Sequence, residues 1–433
     1  MSIFNHSVRL DEEKCVGCTN CIKRCPTQAI RVRDGKAAIT EELCIDCGEC
    51  IRICPHHAKK AFFDSFDELN KFKYKIALPP PSLYGQFNNL DDVDRVLTAL
   101  IGIGFDDVFE VARAAEIVSD YTRKYLAENK TDHPILSTAC PVVIRLIQIR
   151  YPYLAPYLLD LLPPVELAAK MARADAMKKF PELKSEDIGI FFITPCPAKV
   201  SYVRNPIGVE KSDIDGVLSM SEAYFRLVPE MRRIKRSSTL SRSGVIGISW
   251  ATTGGEAAAL LGEKYLAADG MENVTKVLNE IENDNFSDLQ FIELNACAGG
   301  CVGGVMTVEN PFIAKARIQQ LRRYLPVSQN RAPEEESGEA RWESGLKKSD
   351  AALLGTNMED AIRKKSAANS ILSRLPGLDC GACGAPSCKA LAEDIVCGSA
   401  SESDCIFIVR EKLQAIYSSL AEIEKKPGDK NEK

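Results

Sequence analysis

The sequence predicts an α/β protein: a central domain of mostly parallel sheets covered by helices, with small cysteine-rich modules before and after it. The first observation is alternation between about residues 75 and 325. Apolar runs such as "ILSTACP", "IGIFFITPCP", "GVIGISW" and "LQFIELNAC" read as buried strands, separated by helical patterns such as "PPVELAAKMARADAMKKF" and "TKVLNEIENDN". Strands alternating with helices bury both faces of a parallel sheet. The second observation is cysteine usage, 17 in 433 residues. The third is where those cysteines fall: dense groups at both ends, four scattered through the middle.

Bulk properties narrow the class. Hydrophobic content of 45% and charge of 27% are ordinary for globular chains. A net charge of −5 gives no electrostatic reason to expect nucleic acid or an anionic membrane. The start, "MSIFNHSVRLDEEKC", has no apolar core of a secretory signal. No apolar run approaches the ~20 residues that span a bilayer. A soluble, cytoplasmic protein is expected, and in a reducing cytosol so many cysteines point to metal ligation rather than disulfides. The odd total leaves at least one thiol over.

At the N-terminus, "CVGCTNCIKRCP" (Cys15, Cys18, Cys21, Cys25) recurs as "CIDCGECIRICP" (Cys44, Cys47, Cys50, Cys54). Both match the bacterial ferredoxin run C-x2-C-x2-C-x3-C-P, in which the fourth cysteine of each run serves the other cluster. One [4Fe–4S] cluster then uses Cys15, Cys18, Cys21 and Cys54, and the other Cys44, Cys47, Cys50 and Cys25. Zinc is the alternative, but it rarely needs three cysteines within seven residues. The C-terminal unit "CGACGAPSC…C" offers Cys380, Cys383, Cys388 and Cys405 for a third [4Fe–4S] cluster, again with zinc as the alternative. It resembles a small helical Fe–S domain appended to some redox proteins. Cys397, between the last two ligands, is the leftover thiol.

These signals divide the chain into a ferredoxin-like 2[4Fe–4S] domain (1–74), a central domain (75–326), a polar, acidic linker (327–365), a helical Fe–S domain (366–422) and a disordered tail (423–433). The four remaining cysteines, Cys140, Cys196, Cys297 and Cys301, each follow an apolar strand-like run, where loops at strand ends build sites. Taken on their own, they describe a cubane whose ligands come from three separate loops at a cleft.

The central segments resemble [FeFe]-hydrogenases over nearly residues 1–325. "STACP" is similar to the family's TSCCP, "TPCPAK" to MPCxxKxxE, and "ELNACAGGCVGG" to ExMACxxGCxxGG. The resemblance implies a two-lobed H-cluster domain with paired four-stranded sheets. It also implies an H-cluster: a [4Fe–4S] cube joined to a diiron unit carrying CO, cyanide and an azadithiolate. Cys140, Cys196 and Cys297 would hold the cube and Cys301 would bridge it to the diiron unit. Lys199 would set its ammonium against a cyanide. Pro81 and Ser82 match the loop near the other cyanide, and Gly299, Gly300, Gly303 and Gly304 would let backbone approach the group.

The departures are as informative. Ala139 stands where fast members carry a proton-relaying cysteine. Other relay positions fall on Leu159, Tyr202, and Tyr121 or Thr122, and two methionines beside the diiron unit are replaced by Thr194 and Asn295. Glu256 and Glu293 are candidate substitutes for the lost relay, with capping or solvated carboxylates as the plain alternative. The pattern resembles the sensory branch that has a C-terminal Fe–S domain and no PAS module. The expected activity is slow, reversible oxidation of H2, with electrons or a redox signal passed through the [4Fe–4S] clusters to a partner protein. H2, protons and maturation proteins for the diiron unit are the other implied partners. Two further readings stay open: a metabolic hydrogenase with a rewired proton path, and a non-enzymatic Fe–S assembly or scaffold protein.

Overall fold

A computed structural model of the chain describes residues 6–332, 340–347, 354–355 and 357–424. The chain forms two compact units, and both cross the boundary expected at residue 74. The first takes Met1–Arg9, Cys44–Arg52 and Lys59–Ser349; the second takes Leu10–Leu43, Ile53–Ala58 and Asp350–Lys433. Among the described residues, no helix is long and apolar enough to cross a membrane.

In the first unit, a parallel four-stranded sheet runs in the order Asp107–Val108, Tyr74–Leu78, Ile188–Thr194, Gly216–Ser219. All seven residues of Ile188–Thr194 are buried, as befits a central strand covered on both faces. The second sheet has three parallel strands, Tyr265–Asp269, Phe291–Asn295 and Ile135–Leu136. Four were expected; the fourth position is reduced to one isolated bridge between Leu136 and Leu158.

The run "GVIGISW", expected as a strand, is instead the helix Val245–Ser249. A short apolar run carries no period that separates the two states. Here Gly247 decides: a Cβ on it would lie 2.1 Å from the carbonyl oxygen of Ala112, so glycine lets this helix press against Val111–Glu128.

The described parts of the expected linker, 327–332 and 340–347, carry hydrogen bonds to the central domain. Backbone amides of Gln329 and Asn330 both donate to the buried Glu116 carboxylate at 2.9 Å. Farther on, Leu162 donates to the Ala340 carbonyl at 2.7 Å and Trp342 to that of Asp160 at 2.8 Å. Polar composition suggested a free segment, but these backbone groups satisfy buried carboxylates and carbonyls. The helix Met358–Leu372 also begins inside the expected linker range. Of the tail, residues 425–433 lie outside the described residues; the last helix runs through Glu424.

The second unit joins most of the ferredoxin repeat to the C-terminal module. The Val32 amide donates to the Gly384 carbonyl at 2.9 Å. Arg31 grips Asp394 with Nε at 2.6 Å and Nη2 at 2.9 Å, and Arg33 Nη2 adds a bond at 3.0 Å. Gly384 has φ +80°, and a Cβ there would strike the Val32 carbonyl, so glycine is required for this close approach.

Candidate metal centre

Each central cysteine sits where a strand ends. Cys140 and Cys196 occupy the N-cap positions of the helices Pro141–Arg150 and Pro197–Arg204, each with proline at the first turn. Proline suits that position because its missing N–H would have no intrahelical partner. Cys297 follows Phe291–Asn295, and Cys301 opens a short 3-10 turn to Gly303. All four are half-buried.

Their electrostatics show that they converge. Burial, then the Cys196 and Cys140 charges, push the Cys297 thiol well up. Cys301 is pushed up to about 12 by burial first, with Lys199 opposing and Cys196 and Cys140 adding. Cys196 is raised by burial and Cys140, against Lys199. Holding several thiolates together in low dielectric is unfavourable unless a cationic centre shares their charge. For Lys199, burial alone would lower the pKa, but the four thiols outweigh it and the net shift is upward. Its Nζ donates to the Ala139 carbonyl at 3.1 Å.

Lys199 and Cys301 face a partly open cavity of about 630 Å³, a volume that includes solvent at its mouth. Pro81, Ser82, Ala139, Lys199, Glu256, Glu293, Asn295 and Cys301 contribute to its wall. Ser82 is fully buried, and its hydroxyl has no hydrogen-bond partner among the described residues. An orphaned hydroxyl costs stability unless something bound there engages it. The Cys301 thiol, the Lys199 ammonium and the orphaned Ser82 hydroxyl line one cavity, and the other three thiols lie close enough to act on Lys199, a donor set that suits an anionic metal cluster.

Gly300 does not line that cavity; its required feature lies elsewhere. With φ +90°, a Cβ on it would fall 2.5 Å from the Thr253 amide nitrogen, and those on Gly303 and Gly304 would strike the carbonyls of Ala298 and Pro195. These glycines bring backbone against backbone and so hold the loop between Cys297 and Cys301.

The two glutamates are adjacent. Ser137 Oγ donates to Glu256 Oε2 at 2.6 Å and accepts from the Ala139 amide at 3.2 Å. Glu293 accepts from the Gly254 and Ala257 amides, both at 2.9 Å, and from Asn295 Nδ2 at 2.7 Å. Burial, then the neighbouring Glu293, pushes Glu256 up to about 8. Burial raises Glu293 against the donors that lower it. The positions that the resemblance matches to relays hold no such pair: Thr122 Oγ1 bonds its own helix at the Val118 carbonyl, Tyr121 is a buried core side chain, and Thr138 Oγ1 holds the Leu159 carbonyl. Tyr202 lines a smaller pocket with Ala139, Lys199 and Trp342. Thr194 Oγ1 caps the cysteine turn, accepting from the Cys196 amide at 3.2 Å.

The second cysteine repeat supplies a residue the sequence reading passed over. Asp46, in "CIDC", has φ +53° and is 1% exposed. It accepts from the Ser7 and Val8 amides at 2.9 and 3.0 Å, from Ser201 Oγ at 2.6 Å and from Arg145 Nη1 at 3.4 Å. Ser201 and Arg145 lie on the helices that begin at Cys196 and Cys140. Arg52 Nη2 then reaches the Gly303 carbonyl at 2.8 Å, beside Cys301. The loop of Cys44, Cys47 and Cys50 is thereby fastened to all three central cysteine loops. In the second unit lie Cys15, Cys18, Cys21, Cys25 and Cys54, with Cys380, Cys383, Cys388 and Cys405 in the C-terminal module. Cys388 and Cys405 are buried there, whereas Cys397 is exposed.

The family model for the iron only hydrogenase large subunit, C-terminal domain, matches residues 73–261 and 220–305. The chain belongs to that family. A 4Fe-4S dicluster domain model matches 7–55, and an Fe–S cluster model matches 375–407. Among curated relatives, the periplasmic [Fe] hydrogenase large subunit of Nitratidesulfovibrio vulgaris is 27% identical over 364 residues, 69% of this chain and 86% of that protein. An uncharacterised protein of Methanocaldococcus jannaschii is 40% identical over 60 residues, 14% of this chain and 27% of its own length. A solved [FeFe]-hydrogenase variant from Chlamydomonas reinhardtii aligns at 16% identity with a TM-score of 0.46, covering 63% of this chain and 90% of that one.

Proposed function

We propose that the protein is a hydrogen-responsive [FeFe]-hydrogenase of low turnover that passes electrons, or a redox signal, through its [4Fe–4S] clusters to a partner protein. The observation that carries this reading is Ala139: it lines the cavity beside Lys199 and Cys301 and has no atom that can exchange a proton. Cys140, Cys196, Cys297 and Cys301 would hold the H-cluster, which supplies the metal chemistry that splits H2 when it is bound. Lys199 would set its ammonium, and Ser82 its free hydroxyl, toward the ligands of the diiron unit.

A proton leaving the cavity on this side meets Glu256, whose raised pKa lets it hold a proton at Oε near neutral pH. Glu293 lies next to it. The usual thiol is gone, so transfer falls to this pair, and a missing positioned relay costs roughly 10²–10⁴ in rate. The same pair favours a second reading, a metabolic hydrogenase whose proton path has been rewired through Glu256 and Glu293.

Infrared spectroscopy of the protein loaded with a diiron precursor tests both. Carbonyl and cyanide bands that shift under hydrogen, with slow turnover, are expected for the responsive protein. Fast evolution from reduced ferredoxin would favour the metabolic reading. An absence of such bands after loading would overturn both.

A further inference from the structure

We propose that the small pocket walled by Ala139, Lys199, Tyr202 and Trp342 holds an ordered water, and that this water opens a second proton exit, through Tyr202 and Glu166 to the surface at Lys170 and Glu343. The exit rests on the hydrogenase reading above; the water does not. The pocket has room for about one water. Two polar atoms of its wall, Tyr202 Oη and Trp342 Nε1, are buried and have no hydrogen-bond partner among the described residues. The Lys199 ammonium lines the same pocket and, with three N–H donors, can serve a water as well as the Ala139 carbonyl. Two to four polar partners are what a buried water needs, and a bare phenol and indole N–H are unfavourable without one.

Outward from the water, every group can carry a proton. Tyr202 Oη lies beside the Glu166 carboxylate, whose charge adds to burial in raising the tyrosine pKa, without closing a well-formed hydrogen bond to it. Glu166 is fully buried on the helix Pro164–Lys179, and burial raises its pKa against the Asp213 amide at 2.7 Å and Ser212 Oγ at 2.8 Å. Lys170, one turn along the same helix, lowers that pKa and pairs with Glu343 at 2.8 Å, where both side chains reach solvent. Glu343 also acts on Tyr202. The buried carboxylate therefore sits between a pocket-lining hydroxyl and a surface ion pair. Holding the Ser212 turn explains Glu166 alone; it does not explain a bare phenol and a bare indole N–H around one pocket beside Ala139. A proton released there passes to the water as the water gives one of its own to Tyr202 Oη and Tyr202 gives its hydroxyl proton to Glu166. The tyrosine is never ionised, so its high pKa is no obstacle, and Glu166 loses the proton at the Lys170 and Glu343 end.

A crystal structure of the chain carrying its [4Fe–4S] clusters should show one water bonded to Tyr202 Oη and Trp342 Nε1, and none so held in Tyr202→Phe. A wild-type pocket without that water overturns the proposal. In the diiron-loaded chain, the infrared difference between hydrogen and argon should contain a carboxyl band that Glu166→Gln removes and Glu256→Gln keeps. Glutamine retains an acceptor for the Asp213 amide, and unchanged iron content checks that the variant folds. Because the two exits run in parallel, Glu166→Gln combined with Glu256→Gln should slow the exchange of D2 with solvent protons by about 10²–10⁴, more than the product of the two single losses. A carboxyl difference untouched by Glu166→Gln, or a double loss no larger than that product, overturns the exit, while carbonyl and cyanide bands that still respond to hydrogen leave the hydrogenase reading standing. Loaded protein without those bands overturns that reading and the exit with it.

Discussion

Replacing Asp46 by alanine should loosen both the second ferredoxin loop and the central cysteine site. Asp46 is buried and accepts from two backbone amides, the Ser201 hydroxyl and the Arg145 guanidinium. Arg145 is itself 9% exposed, and its Nη2 already lacks a partner among the described residues. Burial lowers the Arg145 pKa, and Asp46 is the first charge that opposes that. Removing one partner of a buried ion pair costs about 3–5 kcal/mol, and the stranded amides add to it. Taking ~4 kcal/mol, at roughly 2 °C per kcal/mol for a unit of this size, the apparent melting temperature should fall by about 8 °C. The assay is a thermal scan at fixed rate on the reconstituted chain, with iron counted before and after. Asp46→Asn, which keeps an acceptor for the amides but not the charge, should fall between. A D46A protein melting within about 2 °C of wild type and keeping all its iron would refute this account of how the two cluster loops are joined.

Ala139→Cys should raise hydrogen evolution of the loaded enzyme, by up to the ~10²–10⁴ that a positioned relay supplies; an unchanged rate would show that this position does not limit turnover. Glu256→Gln concerns pH. A carboxyl whose folded pKa rises from 4.5 to about 8 keeps a proton that the unfolded chain releases, so wild-type stability falls as pH rises through that window. The variant lacks that loss, so its melting temperature relative to wild type should climb between the two values and level off above; a constant difference would contradict it. Asp394→Ala leaves Arg31 and Arg33 without their shared carboxylate, a loss of about 1.5–3 kcal/mol for a charged hydrogen bond. The C-terminal module should then be cleaved roughly 10- to 150-fold faster in limited proteolysis where opening equilibrates before cleavage, and unaltered cleavage would show that the contact holds nothing.

Spacing made the terminal cysteine runs legible, because ligation demands fixed residue types at fixed intervals. The four central cysteines stood out through the segments that resemble the hydrogenase family and through their places after strand-like runs. Pro164–Lys179 was readable from its helical period, and Ile188–Thr194 from a continuous apolar run bounded by polar residues. What escaped was decided by contacts distant in sequence. "GVIGISW" became a helix because Gly247 meets the backbone of Ala112, and residues 329, 330 and 342 of the polar stretch are held because Glu116 and Asp160 receive their amides. Asp46 was visible only as one residue between two cysteines. Its role depends on Ser201 and Arg145, 155 and 99 residues away.

Trp342 gives the order of synthesis a physical meaning. It walls the small pocket beside Ala139, Lys199 and Tyr202, and it packs on Gly208, where even a Cβ would come within 2.4 Å of the indole. On a ribosome the cysteine loops emerge first, and this wall is added only after both sheets have left the exit tunnel. A nascent chain therefore passes through a stage in which the strands are complete but the pocket is still open on one side.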